Sequence, residues 1–164
     1  MAVTAWAAGQ RITADRLNGM LPRWSSWTPT WSTNTGSATP SFGNAVISCE
    51  YCQTGDLVTA RFEVVFGSTT NFGGGTGSDN WRFSLPVTAA STVNAAGHFE
   101  LDHSGFVRTY GRARITTTSV FEIEVSTGRV DGTTTTNAGL IDALTPETWA
   151  NGDGIRGTLH YRSA

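Results

Sequence analysis

The sequence predicts an all-β fold: a jelly-roll-type β-sandwich entered by a short N-terminal helical or extended segment. Three observations predict it. Apolar residues recur at every second position in a series of short stretches, as in strands with one dry face and one wet face. Turns rich in Gly and Thr separate those stretches at intervals of roughly 8 to 15 residues, the rhythm of sandwiches and jelly rolls. The composition agrees, because 19 Gly and only 15% charged residues favour turns and strands over solvated helices. At 164 residues the chain is long enough for one sizeable core. The expected division is an attachment segment over 1–23 and the sandwich over 24–164.

Residues 1–23 read differently from the rest. Thr13 can cap a short helix with Asp15 in its first turn, and Gly19 and Pro22 mark its end. Leu17, Met20 and Leu21 fall at helical spacing. About two turns of helix are marginal alone in water. The segment therefore needs a surface, either its own sandwich or a neighbouring protein. Residues 24–43 carry Trp24, Trp27 and Trp31, while Pro29 and Pro40 exclude a central strand. An extended edge segment pinned by Trp27 and Trp31 is expected there.

The strands follow in order. Ile47, Cys49 and Tyr51 share a parity. Val58, Ala60, Phe62, Val64 and Phe66 form a dry face against Thr59, Arg61 and Glu63. After a loop rich in Gly, Ser, Thr and Asn, the residues Trp81, Phe83, Leu85 and Val87 alternate with Arg82 and Ser84. Phe72 interrupts that loop as a plug for an open end of the core or as a ligand contact. Val93, Ala95, Phe99 and Leu101 share a face opposite His98, Glu100 and Asp102. Val107, Ala113 and Ile115 alternate with Arg112 and Arg114, and Phe121, Ile123 and Val125 with Glu122 and Glu124. Pairing Ile115 with Phe121 would set Arg114 against Glu122 and Arg112 against Glu124 on the wet side. A Gly/Thr-rich loop spans about 127–138, Gly139 to Leu144 reads as a short strand or a turn of helix, and Ile155, Leu159 and Tyr161 close the series. The predicted core is Phe62, Val64, Phe83, Leu85, Phe121, Ile123, Leu159 and Tyr161.

Charge and motifs exclude several functions. The net charge is −2 and the pI about 5.8, without the basic patch of a nucleic-acid binder. No apolar run approaches the ~18 residues of a membrane span, so no membrane insertion is expected. The opening MAVTAWAA is too short for a signal-peptide core, which points to synthesis and assembly in the cytoplasm with reduced cysteines. Cys49 and Cys52 form a lone CxxC without the second pair a structural zinc site needs; one buried thiol and one near a turn are expected. His98, Glu100, Asp102 and His103 cluster as a candidate divalent-ion site or as the wet face of an edge strand. GGGTG at 73–77 lacks the Lys and Ser/Thr of a phosphate loop. No triad motif and no paired carboxylates of a depolymerase appear, so neither an enzyme nor a cofactor is expected.

Several pieces carry a family resemblance in their order: Trp27-Thr28-Pro29-Thr30-Trp31, Gly43-Asn44, Tyr51 and Gly55, then FGSTTNFG from Phe66, WRFSLP from Trp81, and TPETWANGDGIRGTLHY from Thr145. This order resembles a module of bacteriophage tail-fibre and minor tail proteins, and AAGQRITADRLNGM from Ala7 is similar to the opening of many phage tail proteins. The resemblance implies a virion structural protein, a tail-fibre or tail-tip appendage that assembles as a homotrimer. It implies docking on another virion protein through Ile12, Leu17, Met20 and Leu21. The six Trp and eight Phe are a surplus for a small sandwich, and Trp24 and Trp27 are the candidate subunit contacts. Loops carrying Thr70, Asn71, Phe72, Asp79, Asp131 and Thr134 are the candidates to face a host-surface glycan or protein. A capsid decoration protein and a soluble carbohydrate-binding module stay open as alternatives.

Overall fold

A computed structural model describes residues 7–74, 79–105, 107–125 and 139–164, without the side chains of residues 19 and 20. In chain order the elements are α1 (Ala14–Met20), β1 (Ser25–Ser26), β2 (Trp31–Thr33), β3 (Val46–Ile47), β4 (Glu50–Thr54), β5 (Leu57–Val65), β6 (Trp81–Ser84), β7 (Val93–His103), β8 (Val107–Thr117), β9 (Val120–Val125), β10 (Gly139–Leu140) and β11 (Gly154–Arg162). The fold is all-β, as expected. One antiparallel sheet runs β1-β4-β5-β11-β7-β8-β9-β6-β2, with β3 on β5 and β10 on β9.

That order curls the sheet on itself. β1 and β2 stand at its two ends, yet only residues 27–30 separate them. Trp27 N donates to Cys49 O (2.9 Å) on the β4 side, and Ser84 N donates to Thr30 O (3.0 Å) on the β6 side. The segment 25–33 therefore hands its hydrogen bonds from one end of the sheet to the other and joins them. Buried Pro29 sits at the handover, where a residue with no N–H leaves no donor unpaired.

The apolar parity of each strand lines the interior. Phe62 stands at its centre, with ring centroids 5.1 Å from Phe83, 5.6 Å from Phe121 and 5.8 Å from Phe99. Seven of the eight predicted core residues are buried; Leu85 is half-buried because β6 ends at Ser84, before it. Tyr161 is buried and its hydroxyl donates to Val87 O (2.7 Å).

Two parities differ from expectation. Between Val93 and Gly97 the register shifts, β7 carrying two residues more than β8, so Ala96 is buried and Ala95 is exposed. Two extra residues disturb the faces only within the bulge, and Val93 before it still packs on the core opposite Ile115. The β8–β9 hairpin has the expected register, Ile115 opposite Phe121, Arg114 opposite Glu122 and Arg112 opposite Glu124. Arg112 pairs with Glu124 at 2.7 Å. Glu122 is not on a wet side: it is 3% exposed and accepts from Arg82 Nε at 2.7 Å, because β6 covers the other flank of β9.

Phe62→Ala should lower stability by about 3–5 kcal/mol, read from denaturant melts, because the four-ring centre cannot collapse into the void. Burial pushes the Tyr161 phenol from 10.0 up to about 12. A raised phenol pKa favours the neutral form in the folded state, so its contribution is complete below pH ~10 and is lost as pH climbs towards ~12. The melting temperature should fall across that window, and Tyr161→Phe should flatten the fall.

Candidate functional site

Strand directions sort the loops to two ends. β2 and β5 run the same way, so the segments after them, 34–45 and 66–74, lie at one end. β11 runs against β5, which brings the 141–153 segment before it to that same end. The N-terminal segment enters β1 from the opposite end. The two candidate regions read from the sequence therefore stand at opposite poles of the curled sheet.

Aromatic rings pack the loop pole. Trp31 lies 4.6 Å from Trp81, 5.1 Å from Phe42 and 5.5 Å from Phe66, centroid to centroid. Phe72 is half-buried, 5.0 Å from Phe66 and stacked on Trp81, so it is the plug of this end. Trp149 joins from the last loop, 5.2 Å from Trp81 and 5.5 Å from Phe66. The sequence pattern missed Trp149 and Phe42, since neither lies on an alternating stretch.

Above the rings the loops bind one another. Thr69 N donates to Asn44 Oδ1 (2.8 Å) and Asn44 N donates back to Thr69 Oγ1 (2.9 Å). Gly43 allows this approach at φ +56, where a Cβ would stand 2.6 Å from the Thr69 carbonyl carbon. Thr70 Oγ1 donates to Phe42 O (2.8 Å) and accepts from Gly67 N (2.9 Å). Asn71 is exposed, bridges Ser41 through the backbone, and its side chain accepts from Gly73 N (2.9 Å). Thr70 and Asn71 thus hold the loop together through their own bonds.

Asp79 is a clear correction. It is buried rather than presented, and its carboxylate accepts from Ala38 N (2.9 Å), Thr35 N (3.2 Å) and the Thr35 hydroxyl. The Thr35 hydroxyl bond holds its carboxyl below the usual range despite the desolvation that opposes it. Asp131 and Thr134 lie outside the described residues.

The other pole carries the N-terminal segment. Thr13 caps α1, accepting from Arg16 N (3.4 Å), and Asp15 stands in the first turn. Residues 7–18 and 21–24 are all exposed, so the described side chains of the segment do not pack on the sheet. Ile12 is 64% exposed, Leu17 51%, Leu21 60% and Trp24 55%, an unusual run of bare apolar surface. The side chain of Met20 lies outside the described set. Trp27, expected at a subunit contact, is instead half-buried edge-on against Phe62 (6.0 Å).

The other polar constellations resolve into ion pairs. Glu100 and Asp102 face Arg108 (3.8 and 3.6 Å) and Arg156 (3.6 and 3.3 Å). His103 turns away to Asp153 (3.1 Å) and Glu147 (3.6 Å). Among the described residues no group of three or more His, Cys, Asp or Glu is arranged to hold a metal ion. Cys49 is buried and Cys52 half-buried, both as free thiols. Among the described residues no helix is long and apolar enough to cross a membrane. No family model, curated protein or solved structure matches the chain.

Burial pushes the Cys49 thiol up to about 11, partly opposed by its hydrogen bond to the Glu63 backbone. At pH ~8 a thiol-alkylating reagent should modify Cys49 only as fast as the sheet unfolds. Mass spectrometry of timed digests checks this, with Cys52 as the internal comparison.

Proposed function

We propose that the protein is a structural component of a bacteriophage particle, a small tail-fibre or tail-tip appendage held by its N-terminal segment. One observation carries the proposal. A capped helix of 7 residues, with Ile12, Leu17, Leu21 and Trp24 bare around it, leaves the sheet from the pole opposite the loops. Such a helix does not sustain itself in water, and leaving four large side chains exposed forfeits several kcal/mol of burial. Both costs are met when the segment docks on a neighbour. The order of motifs shared with phage tail modules points to a virion neighbour, and it carries with it the jelly-roll kinship of the curled sheet.

In this reading Trp24 serves contacts between three copies of the chain, and the loops around Thr70 to Phe72 face away from the particle towards the host surface. The self-bonded loops suit a rigid epitope presented as a whole, with Phe72 and Trp149 beneath as their footing.

Deleting residues 1–22 should leave a folded β protein with the melting temperature of the full chain. That protein should no longer enter particles, as judged by antibody labelling of purified virions under the electron microscope. Normal incorporation of the truncated protein would overturn the proposal. Label on tailless heads would move the protein to the capsid.

A further inference from the structure

The outer wall of the sheet is hollowed where β5, β11 and β7 run side by side. On β11, Arg156, Gly157 and Thr158 stand opposite Glu63, Phe62 and Arg61 of β5, and Arg156 also stands opposite Glu100 of β7. Alternation sends the Phe62 side chain into the core and Gly157 has none, so the middle row gives the outer face only backbone. The rows on either side, Arg156 with Glu63 and Glu100, and Thr158 with Arg61, wall a cavity of about 290 Å³. A second cavity of about 340 Å³ adjoins it, for Arg61 and Glu63 pair with each other and line both. Ser26, Trp27, Thr28, Ser48 and Glu50 also line the second.

Two groups of the first cavity keep unused hydrogen-bonding capacity. Glu100 and Arg156 meet at 3.6 Å, and Arg156 meets Asp102 at 3.3 Å, contacts that are ionic without being hydrogen bonds. Glu100 meets Arg108 in the same loose way at 3.8 Å. Among the described residues neither Glu100 nor Arg156 makes a side-chain hydrogen bond, and Arg156 Nε is buried without a partner. The side chains are 21% and 38% exposed, open enough for a ligand to reach the rest of each group.

We propose that the adjoining cavities bind a neutral oligosaccharide, one sugar ring in each. The balance of charge selects the class. The first cavity sets two carboxylates, Glu63 and Glu100, beside two guanidiniums, Arg61 and Arg156. An anion there gains the arginines but meets the glutamates, and a cation does the reverse. A hydroxyl donates and accepts through one oxygen, so it gives to Glu100 while it takes from Arg156. The second cavity continues the pattern, with hydroxyls from Ser26, Thr28 and Ser48 and a further acceptor in Glu50. Half-buried Trp27 offers apolar surface to the C–H face of a ring. Ligand cavities begin at roughly 300 Å³, so each hollow suits one ring and the pair suits a short chain. None of the lining residues belongs to the loops of the aromatic pole or to residues 7–24, and the inference does not depend on the phage reading.

An array of immobilised glycans tests it with the labelled full chain. Short neutral oligosaccharides of hexose and N-acetylhexosamine are set beside sialylated, sulfated and amino-sugar chains as charged counterparts. At least one neutral chain should be retained in preference to the charged ones, and calorimetry with that oligosaccharide then gives its affinity. Thr158 is exposed, so Thr158→Arg fills the first cavity without entering the core. It should keep the melting temperature and weaken binding by about tenfold or more. Asn71→Ala, at the loop pole, should leave affinity within about twofold. If Thr158→Arg melts early, Glu100→Ala decides, because the loss of an acceptor for a bound hydroxyl should weaken binding about tenfold. No binding to any neutral chain, a preference for charged chains, or full affinity in a folded Thr158→Arg or Glu100→Ala protein overturns the site. Affinity lost in Asn71→Ala and kept in Thr158→Arg overturns it in favour of the loops.

Discussion

A sheet that curls until one segment joins its two ends needs room on its inner face, and glycine provides it. Gly157 on β11 sits between Phe62 on β5 and Phe99 on β7, and Phe99 in turn faces Gly111 on β8. A Cβ on Gly157 would stand 2.6 Å from Phe99 Cγ, and one on Gly111 2.8 Å from the Glu124 carbonyl oxygen. At Gly97 a Cβ would overlap the Thr158 carbonyl outright. Glycine in a strand interior weakens it in isolation, yet it marks sharp bends and close backbone approaches. Here three of them let the rings of Phe62, Phe99 and Phe121 share one small interior. The interior then supplies the burial that the glycines forgo.

The outside of the same wall is held by charge. Rows of opposite sign run across neighbouring strands, Glu63 beside Arg156 beside Glu100, and Arg114 beside Glu122 beside Arg82. Exposed pairs of this kind contribute little one by one. Glu122 is different, since it lies buried between two arginine-bearing strands, where removing its partner would be far more costly than at an exposed pair. Its pairing fixes how β6 sits on β9, which in turn places Trp81 under the loop pole.

How much of this was legible in the sequence follows from how local each signal is. The β8–β9 register was legible because a tight turn and two clear alternations leave one solution for Ile115 and Phe121. The core parities of β5 and β11 were legible for the same reason. Ala95 was misplaced because a bulge is set by the partner strands and leaves no mark on alternation. Glu122 looked wet because its burial depends on β6, 36 residues earlier at its last residue Ser84 to Val120, a pairing no local pattern announces. Asp79 read as a loop acid because its partners, Thr35 and Ala38, are over 40 residues away. The single closed-over sheet was hidden altogether, since alternation tells which face is dry and not whether a sheet divides in two.

The placement of β11 reaches beyond the finished fold. It is the last strand in chain order, yet it lies between β5 and β7, near the middle of the sheet. While the chain is being made, β5 and β7 each offer a row of unpaired N–H and C=O groups with no strand to fill the gap. Those open edges are templates for pairing with other nascent chains. The closure at Trp27 and Thr30 has to wait as well, because it joins the ends of a sheet that lacks its centre. Until residues 154–162 are in place the sheet therefore has neither its centre nor its closure, and the edges of β5 and β7 stay open.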